Sequence, residues 1–104
     1  MIVITQLPGK ITIEGHAGFA PMGQDIVCAA VSALLQTFVA SIEEMTADEI
    51  KSDMAAGMAV VEYESLSEKG QLLMDSFLLG VLMIANEYPG NVKIISSKFE
   101  DFLN

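Results

Sequence analysis

Met1-Ile2-Val3-Ile4-Thr5-Gln6-Leu7-Pro8-Gly9-Lys10-Ile11-Thr12-Ile13-Glu14 opens the chain with two runs rich in β-branched residues on either side of a Pro-Gly pair. Such side chains suit a pleated surface and Pro-Gly reverses the chain, so residues 2–7 and 11–14 read as two antiparallel strands. Residues 15–23 follow with three glycines and Pro21, a composition that resists regular structure and reads as a loop. Asp25 then stands where its carboxylate can accept from the free amides of a first helical turn, and the helix runs to about Glu44. Val27, Val31, Leu34, Leu35, Phe38 and Ile42 share one face of it, Ser32, Gln36 and Glu43 the other, and Cys28 lies at the edge of the apolar stripe.

Residues 49–54 and 58–64 alternate imperfectly around Ala55-Ala56-Gly57, which predicts a second hairpin. Ser65 and Glu68 have the spacing of a capping box, and a helical pattern from Leu66 to Tyr88 stops at Pro89-Gly90. Between Leu72 and Ala85 this helix is apolar around most of its circumference, so it is either central or at a contact between two copies. Residues 91–97 have the content of a last strand, and 98–104 give no clear signal. The order β-β-α-β-β-α-β predicts one two-layer α+β domain over residues 1–104, with two helices on a mostly antiparallel sheet.

The totals bound the function. A hydrophobic fraction of 52% and a mean hydropathy of +0.48 allow a core and leave apolar surface for a partner, so self-association is expected. Fourteen acidic against five basic residues give a net charge of −9, which repels nucleic acid and anionic membranes and favours a basic partner. The apolar run from Phe77 to Ala85, broken at Gly80, is far shorter than the roughly 20 residues of a membrane span, and a soluble chain is expected. The amino terminus lacks a basic n-region, and a single cysteine forms no internal disulfide, so the expected location is cytoplasmic. Met22, Met45, Met54, Met58, Met74 and Met83 read as core filler. One histidine and one cysteine leave a zinc site short of ligands, so neither metal nor cofactor is expected.

Chemistry concentrates in Gly15-His16-Ala17-Gly18-Phe19 and Gly23-Gln24-Asp25-Ile26-Val27-Cys28-Ala29-Ala30-Val31-Ser32-Ala33-Leu34. A thiol reacts as its thiolate, and an ordinary cysteine, with a pKa of about 8.5, is mostly protonated at neutral pH. The unpaired amides of a helix N-terminus favour the anion, and a histidinium within reach favours it further. Histidine can also take the thiol proton and return it to a leaving amine, which is acyl-transfer chemistry. Residue types alone leave other readings open. Cys28 among Val27, Ala29 and Ala30 suits an inert buried position, and His16 a structural one. Asp25 is an N-cap or also orients His16, and Ser32 is a plain polar-face residue or a hydrogen bonder beside Cys28.

Gly15-His16-Ala17-Gly18, Gly23 and the run from Asp25 to Leu34 together resemble the ribosomal-processing cysteine protease family. That resemblance implies a small homodimeric enzyme that removes the N-terminal extension of ribosomal protein bL27. It implies Cys28 as nucleophile and His16 as base, with Gly15, Asp25 and Ser32 supporting the site and binding substrate. Ala20-Pro21-Met22 is more apolar than the charged loop of the family, a departure that bears on substrate detail. The resemblance also implies a substrate with a short apolar, aromatic-containing leader, and Gly15, Gly18 and Gly23 suggest a mobile loop that closes over such a peptide. The rival from another class is a noncatalytic acidic dimer that holds a basic ribosomal protein without cutting it. A weaker rival is a thiol redox sensor.

Overall fold

The computed structural model describes residues 1–21 and 23–96. Its elements run β1 (Ile2–Leu7), β2 (Lys10–Glu14), α1 (Ile26–Met45), β3 (Ile50–Ala55), β4 (Met58–Tyr63), α2 (Glu68–Glu87) and β5 (Val92–Ser96). This is the expected order and the expected α+β class. Asn91 lies in the turn before β5, and Ser97, expected to end that strand, lies outside the described residues.

The first hairpin closes between Leu7 and Lys10. Pro8 fixes its own φ and Gly9 takes φ +80°, the residue pair of a type II turn. The sheet order is β3-β4-β2-β1-β5, antiparallel throughout except for the parallel pair of β1 with β5. Alternation along the strands sets the two faces. Ile2, Ile4, Ile11, Ile13, Ala59, Val61 and Val92 are buried in the core, while Val3, Thr5, Thr12 and Val60 on the opposite face are half-buried.

α1 contributes Val27, Val31, Leu35, Phe38, Val39 and Ile42 to that core, and α2 contributes Met74, Phe77, Leu78, Val81 and Leu82. By length and composition α1 could cross a membrane, although no unbroken apolar run in the sequence marks it. Its apolar stripe is consumed by the core, and Gln36, Glu43 and Glu44 are exposed. The helices meet where the Phe38 and Phe77 rings lie 5.5 Å apart, and where Gly80 faces Leu34. A Cβ on Gly80 would come within 3.0 Å of Leu34 Cδ1, so the missing side chain there permits the close approach.

Two expectations need correction. The start of α2 is capped by Ser67 rather than by the Ser65–Glu68 pair: Ser67 Oγ accepts from the Gly70 amide. Asp48 selects that position, because its carboxylate accepts from the Ser67 amide at 3.0 and 3.1 Å and from Ser67 Oγ at 2.9 Å. The carboxylate lies so close over the first turn that a Cβ on Gly70 would collide with it. Asp48→Ala should lower stability by about 1–2 kcal/mol, measured as a shift of the urea midpoint at unchanged slope.

The methionines are the second correction. Met74 is fully buried, but Met45, Met54, Met58 and Met83 are 41–66% exposed, and Met22 lies outside the described residues. Flexible thioethers fill irregular gaps, yet here β-branched strands and α1 already fill the core. On α2, Leu72, Leu79 and Met83 remain exposed on one side while the opposite side packs inward.

Candidate active site

The loop between β2 and α1 is held at several points. The Gly15 amide donates to the Gly57 carbonyl at 2.9 Å, which docks the loop on the β3–β4 turn. Gly15 has φ +91°, and a Cβ there would collide with the Met1 carbonyl oxygen, so the position needs glycine for backbone reasons. Ala17 is buried. The Phe19 ring meets Tyr88 edge to face at 5.4 Å, tying the loop to the end of α2.

His16 and Cys28 line one cleft of about 210 Å³, together with Gly15, Ser32 and the β3–β4 turn at Ala56 and Gly57. His16 is exposed and makes no hydrogen bond among the described residues; its Nε2 would lie 3.0 Å from a Cβ on Gly57. Cys28 is half-buried in the first turn of α1 and packs on the core edge. Its Sγ accepts from the Ala17 amide at 3.1 Å. Ser32, one turn further along α1, is exposed at the cleft wall.

Asp25 does not line the cleft. Its Oδ1 accepts from the amides of Val27 and Cys28 at 3.0 and 2.9 Å, and its Oδ2 accepts from the Phe19 amide at 3.1 Å. It is therefore a helix cap and a loop clamp at once. The cap is the one expected of Asp25, and it engages two of the first-turn amides, those of Val27 and Cys28, that would otherwise favour a thiolate. Gly18 and Gly23 also lie outside the cleft, with φ of +69° and +87° and open space where a Cβ would stand.

The Cys28 amide foremost, with the Phe19 and Val27 amides and the Cys28 thiol, holds the Asp25 carboxyl below its ordinary value of 3.8, against the opposing effect of desolvation. A carboxyl lowered on folding stabilises the fold above 3.8, and that contribution disappears as pH falls through the lower folded value. The loop and the first turn of α1 should thus loosen together below pH 3.8. In Asp25→Asn that acid transition should be reduced, measured by amide exchange at Phe19 and Cys28.

Ala17, Gly57 and Asn91 join the site without standing out in the sequence. The Asn91 side chain donates to the Ala17 carbonyl at 2.8 Å across 74 positions, a contact that no local pattern signals. Gly57 reads in the sequence only as a turn residue. Ala17, between His16 and Gly18, has no reactive group to mark it.

The sequence matches the family of cysteine protease Prp over residues 4–93. The chain belongs to this family. The ribosomal processing cysteine protease Prp of Staphylococcus aureus is 30% identical over 92 residues, covering 83% of this chain and 87% of the relative. The Bacillus subtilis Prp is 31% identical over 92 residues, covering 82% of each chain. A crystal structure of S. aureus Prp with a covalently linked product peptide superposes with a TM-score of 0.81 at 25% identity, over 90% of this chain and 95% of that one. A Streptococcus mutans protein of the same fold is 33% identical with a TM-score of 0.72, over 91% of this chain and 94% of that one. The Prp relatives are named for cysteine protease activity and ribosomal processing, and this chain carries its single cysteine at the start of α1.

Proposed function

We propose that this protein is a cysteine endopeptidase that removes the N-terminal extension of ribosomal protein bL27, with Cys28 as nucleophile and His16 as base. The observation that carries the reading is that the only thiol and the only imidazole line one cleft, with the sulfur in the first turn of a helix. His16 takes the thiol proton, and the sulfur forms a bond to the scissile carbonyl carbon while the carbonyl electrons move to oxygen. Collapse breaks the C–N bond as His16 returns the proton to the leaving amine. Water activated by the same imidazole then hydrolyses the thioester and frees the thiol.

Gly15 shapes the cleft wall, Asp25 holds the helix start and loop together, and Ser32 offers a hydroxyl to bound peptide. Gly18 and Gly23 give the loop its closing motion over the leader. With both replaced by alanine, peptide turnover should fall about 10-fold while Cys28 stays alkylatable; unchanged turnover would reject the gate. The exposed Leu72, Leu79 and Met83 supply apolar area for a homodimer, and the net charge of −9 suits a free basic substrate better than assembled RNA. A protein with one unpaired thiol that acts on ribosomal proteins belongs in the cytoplasm.

Mass spectrometry of bL27 after incubation with the enzyme tests this reading. Loss of the extension in the presence of wild type, and its retention with Cys28→Ala, is the expected result. Intact substrate in a stable complex would make the protein a noncatalytic binding module instead. Intact substrate with a peroxide-modified Cys28 would favour a redox sensor.

A further inference from the structure

Residue 17 is gripped from two sides. Its N–H donates to Cys28 Sγ at 3.1 Å, and its carbonyl oxygen accepts from Asn91 Nδ2 at 2.8 Å. Ala17 is only 3% exposed, seated in the core, so the residue has a fixed anchor as well. Asn91 is itself held at both backbone ends: its N–H donates to the Tyr88 carbonyl, and its carbonyl accepts from the Ile2 amide, both at 2.9 Å. The corner between α2 and β5 therefore presents the Asn91 amide from a rigid support.

The nearest first-turn donors serve another group. Asp25 Oδ1 takes the amides of Val27 and Cys28, and its carboxylate, within hydrogen-bond reach of the thiol, adds negative charge close to the sulfur. Among the described residues, the N–H that reaches Sγ is that of Ala17. An N–H aimed at an anion forms a shorter and stronger bond than one aimed at a neutral atom, so it favours thiolate over thiol. The next residue, Gly18, is in open space at φ +69° and does nothing to stop the peptide between residues 17 and 18 from turning.

We propose that Asn91 is a positioning residue for the thiol, clamping the Ala17 carbonyl so that the Ala17 N–H stays on Cys28 Sγ as the sulfur ionises. The inference rests on Cys28 being the nucleophile. It places a determinant of reactivity 63 positions away from the sulfur, on an element outside the motif.

Thiol ionisation reads this directly. In 15N-labelled wild type, the Ala17 amide resonance should move with pH in step with the rate of Cys28 alkylation. In Asn91→Ala the alkylation curve should shift to higher pH, with the rate at pH 7 roughly 3- to 10-fold lower. Asn91→Asp keeps the size but offers no N–H to the carbonyl, and should shift the curve in the same direction. On peptide, kcat should fall with KM nearly unchanged, because the clamp touches sulfur rather than substrate. Asn86→Ala, on the exposed side of α2, should match wild type in every measurement.

Alkylation curves of the folded variants that overlay wild type would overturn the proposal. If one variant fails to fold, the other decides, and an Ala17 resonance indifferent to the thiol in wild type overturns it without any variant. Neither result touches the protease reading, which stands or falls on substrate cleavage by wild type against Cys28→Ala.

Discussion

On the proposed mechanism, Cys28→Ala should reduce kcat/KM for the bL27 leader by at least about 10⁴-fold, because the bond-forming atom is then removed and neither cleft shape nor bound water replaces it. The side chain is half-buried at the edge of the core, so the lost sulfur should cost stability little. Cys28→Ser separates packing from chemistry. Its hydroxyl retains the size and accepts from the Ala17 amide, but at neutral pH it is a far poorer nucleophile than a thiolate. Both variants should therefore bind the leader and leave it whole. Turnover above about a tenth of wild type in either one would remove Cys28 from the mechanism.

His16→Ala should lower kcat about 10²- to 10⁴-fold, the range ascribed to a positioned acid–base group. The imidazole is exposed and free of hydrogen bonds among the described residues, so folding stability should stay within about 0.5 kcal/mol of wild type. The site has room for a rescue, since the cavity left behind opens onto the cleft beside Gly57. Free imidazole should restore part of the lost rate in His16→Ala and none in Cys28→Ala. A variant that retains full activity would remove His16 from the mechanism, and one that loses its fold would give it a structural role.

Local chemistry carried much of the architecture into the sequence. Pro8-Gly9 between β-branched runs gave the first hairpin, and Asp25 ahead of a 3.6-residue apolar repeat gave α1 with its cap. Where the structure departed, a distant residue decided. Ser67 caps α2 because Asp48 reaches it from nineteen positions earlier, a choice that the Ser65–Glu68 spacing could not reveal. Met45, Met54, Met58 and Met83 are apolar by type, yet the register of their elements turns them outward. The site divides in the same way. His16, Cys28 and Asp25 stood out by residue type and spacing, whereas Ala17 and Asn91 matter through one peptide bond and its partners, which leave no trace in composition.

The single parallel pair in the sheet has a kinetic meaning. β1 receives one neighbour from the adjacent hairpin and the other from β5, some ninety positions later, at the register Ile2 with Val92. Contacts that close a long loop form late, so β1, whose Ile2 lines the cleft beside the thiol and the imidazole, gains its second neighbour only when the far end of the chain docks.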